Sequence, residues 1–432
     1  MPLLTLLFAL ALSEPLVEQT AFTGTPEQSG WHIAAHRAEI APKGWIEPTV
    51  GRAGHGSLAL TGGSNAAAYG GWERSVNGVH GGGWYRLTAE YRTSGFEDER
   101  RHVLARLDWD KADGHRAGWP DYGTYTTKNV SGGGAWSKIV LEAQAPESAA
   151  VVRIQLILSN AAQGMVWWDH VRLEPMAAPQ QRKVHVVTVN LRPSETKSAQ
   201  DSLSRFLDYV RAQVQRADLL VLPEGVTEVG NGKKYLEVAE PVPGPSTAAL
   251  GALARDLRTY LVAGIVEREG PAAYNTAVLI DRHGALIGKY RKVYLPREEI
   301  EGGLTPGDSY PVFDTDFGKL GMMICWDIQY ADPARALALG GAEILALPIW
   351  GGNATLGHAR AIENHVFLVS SGYDYATEIV DPVGEVVARA EKMPGIAVAD
   401  IDLNRRYPEE YIGIMRDRFF HELRTDVPVT RR

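Results

Sequence analysis

Three segments in the second half of the chain end an apolar run with a reactive side chain: Glu224 in VLPEG, Lys292 in YRKVYLP and Cys325 in GMMICWD. In open α/β sheets the ends of strands are where ligands bind. Singly, none of the three is informative, because a glutamate or lysine after a strand is most often a solvated charge and a free cysteine most often a small buried hydrophobe. As a set they are suited to acyl chemistry. A thiol with an ordinary pKa of about 8.5 is mostly protonated at neutral pH and needs a base to become a nucleophile. A carboxyl can be that base, and an ammonium can stabilise the oxyanion formed when sulfur attacks a carbonyl or nitrile carbon. Cys325 is the only cysteine, so no intramolecular disulfide competes for its sulfur.

The surrounding pattern alternates strand and helix. VHVVTVNL at 184–191 reads as a buried strand, 199–215 has helical spacing through Leu203, Phe206, Leu207, Val210 and Val214, and DLLVL at 218–222 is the next strand. The same grammar returns as a helix at 248–257 before a strand at 260–267, and as a helix at 333–340 before a strand at 343–347. Paired strands at 276–281 and 285–290, joined through His283-Gly284, add a hairpin. This is an α/β domain in which each reactive residue follows a strand.

In this order and with these flanks, the three segments resemble the nitrilase, or carbon–nitrogen hydrolase, superfamily over about residues 183 to 425. The resemblance extends to DPARALALGGAEILALP at 332–348, HARAIENHVFLVSSG at 358–372 and IVDPVGEVVA at 379–388. It implies a four-layer α-β-β-α sandwich with a Glu224, Lys292, Cys325 triad. Glu224 would then be the base, Lys292 and the backbone N–H of Trp326 the oxyanion donors. The family often carries a second glutamate after the lysine; in REEIEGGLTPGD the spacing to Gly303 favours Glu299, with Glu298 and Glu301 as alternatives. Asp332 stands where many relatives have a glutamate, and Cys-Trp-Asp is closer to the amidase and carbamoylase branches than to true nitrilases. Tyr330, Trp350 and His358 are candidates for the substrate pocket, while His283 reads as a solvated turn residue. The expected reaction is hydrolysis of an amide or N-carbamoyl bond through a cysteine thioester. Acyl transfer to an amine, nitrile hydrolysis by the same triad, and a binding protein built on an inactive hydrolase scaffold are the alternatives.

Upstream of residue 177 the grammar differs. Nine of the eleven Trp lie before residue 170, among Gly-rich turns such as GGG at 81–83 and 132–134. Short alternating runs at 57–61, 83–92, 103–109, 136–143, 151–158 and 166–173 read as an antiparallel β-sandwich. The last of them, VWWDHVRLEP, resembles the jelly-roll carbohydrate-binding modules. That likeness implies a glycan as a partner of this domain and leaves Asp169 as a candidate calcium ligand. MAAPQQRK at 176–183 has linker composition. The expected organisation is a signal peptide over 1–15, an accessory β-sandwich over 16–176, and a hydrolase domain over 183–432 whose polar end, 405–432, forms an exchanged arm in a homodimer or larger assembly.

Composition narrows the partners. A net charge of −8 with no long basic run makes nucleic acid a poor partner. No Cys/His cluster, P-loop or dinucleotide glycine motif implies a metal or cofactor. The run LLTLLFALAL at 3–12 is too short to span a bilayer and fits the apolar core of an export signal. A secreted or cell-envelope location, periplasmic included, is therefore expected; without that signal the location would be cytoplasmic.

Overall fold

In the N-terminal region every second residue of a run can be buried while its neighbours face outward, and this period builds two antiparallel sheets. The computed structural model describes residues 14–52, 54–118, 124–125, 128–131, 136–408, 413–424 and 427; the apolar run at 3–12, the GGG at 132–134 and Trp119 lie outside them. One sheet runs Lys43–Glu47, Ser57–Thr61, Met165–Met176, Trp84–Ser94, Ser137–Gln144, Lys128–Ser131, with Val17–Gln19 paired to Met165–Met176. The other runs His32–Ala34, Tyr69–Asn77, Val151–Ser159, Val103–Asp110, Thr124–Tyr125. Leu58, Leu87 and Trp168 from the first sheet share one hydrophobic cluster with Trp72, Leu107, Trp109 and Ile154 from the second. Tyr69–Asn77, a central strand, has no clean alternation in the sequence because Gly70 and Gly71 interrupt it. Gly71 is required there, since a Cβ would come within 2.0 Å of the Leu156 carbonyl oxygen. Asp169 sits at a bulge where His170 adopts φ +49°, and its two carboxylate oxygens accept the backbone N–H groups of Arg52 and His170, each at 2.7 Å.

The chain divides into two compact units, 1–179 with 408–432, and 180–407. The polar C-terminal segment, expected to belong to the hydrolase domain, thus groups with the N-terminal unit. Its helix Met415–Glu422 buries Phe419 and is bridged on its exposed face by Arg418 and Glu422. No helix among the described residues is long and apolar enough to cross a membrane.

Residues 180–407 contain two six-stranded sheets. The first is ordered Leu286–Arg291, Ala272–Ile280, Tyr260–Glu269, Leu219–Val221, Lys183–Asn190, Gly395–Asp402, and the second Val312–Asp314, Lys319–Met322, Ile344–Pro348, Phe367–Ser371, Glu378–Val380, Val386–Arg389. The inner strands of each pair in parallel and the outer ones antiparallel. Lys183–Asn190 shows why its valines fall on both faces of the strand. Val184 and Val186 face a cluster shared with Leu320, Leu345 and Val369 of the second sheet, whereas Val187 and Val189 pack under the helices Ala199–Gln213 and Pro245–Leu257. Ala334, Leu337 and Ala361, from the helices Asp332–Leu339 and Ala354–Asn364, join the cluster of the second sheet. A strand covered on both faces reads as a continuous hydrophobic run. The helix Ala199–Gln213 is capped by Ser198, whose hydroxyl accepts the N–H of Asp201 at 3.1 Å and so satisfies one otherwise orphaned donor.

Candidate active site

Glu224 follows Leu219–Val221 in a turn that stays bonded to the neighbouring strand: Gly264 N–H donates to the Pro223 carbonyl at 3.1 Å, and Val226 N–H to Gly264 at 2.9 Å. Gly264 permits this approach, because a Cβ there would lie 2.7 Å from Glu224 Cα. Lys292 follows Leu286–Arg291, and its N–H donates to the Asn275 carbonyl at 2.9 Å. Cys325 follows Lys319–Met322 and opens a short helical turn with φ +42°, a left-handed conformation rare for a residue with a Cβ.

These strand ends meet. The fully buried Lys292 Nζ donates to Glu224 Oε1 at 3.0 Å and to Glu299 Oε1 at 2.5 Å. Asn275 Nδ2 donates to the same two oxygens at 2.7 and 3.3 Å. Glu224 Oε2 and Glu299 Oε2 are buried with no hydrogen-bond partner. Of the three glutamates that could serve as the second carboxyl, Glu299 is the buried one on Lys292; Glu298 is exposed, and Glu301 pairs with Arg297 at 2.7 Å.

Electrostatics ties Cys325 to this cluster. Burial, then Glu224, pushes its thiol up to about 12, while Lys292 and the Trp350 and Gly351 backbone act in the opposite sense. Its Sγ lies 3.7 Å from the Gly351 carbonyl oxygen. Burial alone would lower the Lys292 ammonium, but Glu224, Cys325 and Glu299 outweigh it and hold it above the ordinary amine range. Burial raises the Glu299 carboxyl to about 7 against the opposing effect of Lys292. A further carboxyl, Asp327, locks the nucleophile turn to the lysine segment. It accepts from Ile324 N–H at 2.9 Å, Tyr290 Oη at 2.7 Å and Tyr294 N–H at 3.0 Å. Burial raises its pKa to about 6, with those three hydrogen bonds opposing.

Glu228, four residues past Glu224, and Trp350 help to wall a cleft of about 750 Å³ whose lining also includes Tyr235, Leu236 and Glu301, with Lys233 and Lys234 exposed on it. Trp350 therefore lies where a pocket residue was expected, edge-on to Tyr373 at 4.8 Å, and Tyr373 Oη donates to the Glu224 backbone carbonyl at 2.9 Å. Trp326 and Tyr330 are about two-fifths exposed beside the nucleophile turn, and Tyr330 stacks on Tyr294 at 3.8 Å. His358 is not among the residues lining that cleft; its Nε2 lies 2.8 Å from Glu378 Oε1, on the strand Glu378–Val380. Asn275 and Glu228 are site residues that sequence reasoning missed. A lone amide inside the apolar strand AAYNTAVLI was a signal for the first, and a carboxyl four residues past Glu224 a faint one for the second.

Residues 155–408 match the family model described as carbon-nitrogen hydrolase, a range that reaches back into the last strands of the N-terminal unit. Omega-amidase NIT2 of Homo sapiens is 32% identical over 246 residues, covering 50% of this chain and 88% of that protein. Omega-amidase NIT2 of Xenopus tropicalis is 30% identical over 260 residues, covering 54% and 88%. Among solved structures, the NitN amidase from Neterenkonia sp. AN1 is 26% identical, covers 50% of this chain and 92% of its own, and superposes with a TM-score of 0.44.

Proposed function

Because the chain belongs to the carbon–nitrogen hydrolase family, of the nitrilase superfamily, we propose that it hydrolyses the C–N bond of a small amide or N-carbamoyl compound through a thioester on Cys325. The observation that carries this reading is one buried ammonium, Lys292, shared by Glu224 and Glu299 and set in the field of a thiol on a left-handed turn. With its pKa raised, the thiol keeps its proton in the resting enzyme, so deprotonation accompanies attack. The unpartnered Glu224 Oε2 takes that proton as sulfur bonds to the carbonyl carbon and the C=O electrons move onto oxygen. Lys292 and the Trp326 N–H stabilise the resulting oxyanion. Glu224 passes its proton to the nitrogen, the C–N bond breaks, and ammonia or an amine leaves. Water then gives a proton to Glu224 and attacks the thioester; the C–S bond breaks, the acid departs, and the proton returns to sulfur. Glu299 orients Lys292 and offers its free oxygen to a substrate donor.

The N-terminal unit is proposed to hold the enzyme on a glycan. A cleft of about 210 Å³ on the five-stranded sheet, walled in part by His36 and Tyr69, supports this assignment. Trp31, Trp72, Trp109 and Trp168 are core; Trp45, Trp84, Trp136 and Trp167 are partly exposed, but the first two and the last lie on the other sheet, so at this cleft sugar stacking falls to His36 and Tyr69. A homodimer is the proposed assembly.

Cys325→Ala tests the chemistry. Ammonia release from simple amides should vanish with the melting temperature retained, and intact mass spectrometry of the wild type with a slowly turned-over amide should show one acyl adduct, on Cys325. Persistent turnover in Cys325→Ala would refute the mechanism.

A further inference from the structure

The catalytic cluster has more acceptors than donors. Lys292 is the ammonium that bonds Glu224 and Glu299, and it reaches one oxygen of each. Their other oxygens are buried without a partner. Leaving such acceptors dry is unfavourable, so a bound ligand that supplies donors offsets that penalty. Glu228 deepens the imbalance. Its side chain folds back over Gly225, which adopts φ +60°; a Cβ at Gly225 would stand 2.9 Å from Glu228 Oε1. The carboxyl is thereby placed beside Glu224, on the wall of the cleft. Among the described residues no hydrogen bond or ion pair to the Glu228 carboxyl is formed.

We propose that Glu228 makes this site selective for amides whose acyl chain carries a protonated amine, receiving that amine in the cleft beside the Lys292 cluster. The inference rests on the reading of the site as an amide hydrolase and names the substrate class it favours. A primary ammonium brings three N–H donors and a positive charge, which are the two things the cluster lacks. Trp350 and Tyr235 line the same wall, and the Trp350 ring already carries the Arg192 guanidinium at 5.6 Å, so the attraction for a bound ammonium falls to the carboxyls. Lys233 and Lys234 also line the cleft but are exposed, so solvent screens their repulsion of a bound cation. The electrostatics of the empty site agree: burial first, then Glu224 and Glu299, raise Glu228 to about 8, with Lys292 opposing. An ammonium in the cleft restores the charged form.

Two amides of nearly equal shape test this, γ-aminobutyramide and valeramide, with the Cys325→Ala protein used so that neither is consumed. By calorimetry γ-aminobutyramide should bind at least about tenfold more tightly, about 1.4 kcal/mol, and in Cys325→Ala/Glu228→Gln the ratio should fall close to one. Glu301→Gln, in the same cleft but paired with Arg297, should reduce the ratio far less than Glu228→Gln. Equal affinities, a preference that survives Glu228→Gln, or no binding of either amide would overturn the proposal. Wild-type ammonia release separates the two readings. Turnover of both amides without preference removes the selectivity alone, and a binding preference without turnover of either removes hydrolysis alone.

Discussion

Each of the two units buries a cluster of opposite charges, and the clusters follow opposite rules. On the five-stranded sheet of the N-terminal unit, Arg153 donates to Asp110 at 2.7 Å and to Glu73 at 3.2 Å, and lies 3.3 Å from Asp108. Gln155 joins Arg106 to Glu73 with two hydrogen bonds of 2.5 Å. No buried side-chain oxygen or nitrogen of these six residues lacks a partner. In residues 180–407 one ammonium serves two carboxyls, two buried oxygens stay empty, and the Glu228 carboxyl stands beside them. A network that closes on itself stabilises the fold. One that stays open carries a stability penalty at the place where a substrate can complete it.

The largest effects should come from the open cluster and appear in rate. Lys292→Ala removes an oxyanion donor and should lower kcat by at least about 10², the usual scale for one such group. Glu224→Gln should be at least as damaging, since it removes the base of both half-reactions. Steady-state ammonia release measures both. A loss below about tenfold in kcat for both variants would show that the cluster, open or not, does not drive the chemistry.

The closed network should answer in stability. Arg153→Met leaves Glu73, Asp108 and Asp110 without the guanidinium that joins them. Breaking a buried ion pair costs about 3–5 kcal/mol, and because the Arg153 side chain is 23% exposed the expected loss is nearer 2 kcal/mol. Denaturant unfolding followed by tryptophan fluorescence reads it, since Trp72 and Trp109 lie on the strands that carry Glu73, Asp108 and Asp110. A variant as stable as the wild type would mean that the closed network is only surface decoration.

What the sequence disclosed follows the same division between local and distant causes. Glu224, Lys292 and Cys325 stood out because each ends its own apolar strand, and Glu299 was favoured for its spacing of four to Gly303, on the loop after the lysine whose ammonium it meets. A strand over 260–267 and a helix over 248–257 were readable from periodicity, which depends on neighbours along the chain; they lie at Tyr260–Glu269 and Pro245–Leu257. Tyr69–Asn77 was not, because Gly71 answers to the backbone of Val151–Ser159, about 80 residues away in sequence, and Gly70 to that of Ala34. Nothing in its flanks showed that His358 would meet Glu378, on a later strand. The polar tail at 408–432 gave no periodicity to assign it, and its grouping with the first unit arises from packing across most of the chain. Glu228 was overlooked because its significance lies in Glu224, Glu299 and Lys292 around it rather than in its own flanks.

The smallest expected effect is also the most direct probe of the contrast. Glu228 is raised to about 8 in the folded chain, principally by burial and then by Glu224 and Glu299, with Lys292 opposing; Tyr235 and Tyr373 are the other titratable groups in its field. In the unfolded chain a glutamate titrates near about 4.3. Between those values the folded protein holds a proton that the unfolded one has lost, so the stability Glu228 contributes is full below pH 4.3 and drains away as pH rises towards 8. Glutamine has no proton to lose. The melting temperature of Glu228→Gln relative to wild type should therefore climb from pH 5 to pH 8 and level off above, by an amount on the order of 1 kcal/mol after allowance for partial exposure. Glu299, raised to about 7, titrates in the same window and stands in the field of Glu228, so part of the difference between the two proteins runs through it. A difference that stays flat with pH would mean that Glu228 ionises without strain in the folded protein, and the open cluster would then be as satisfied as the closed one.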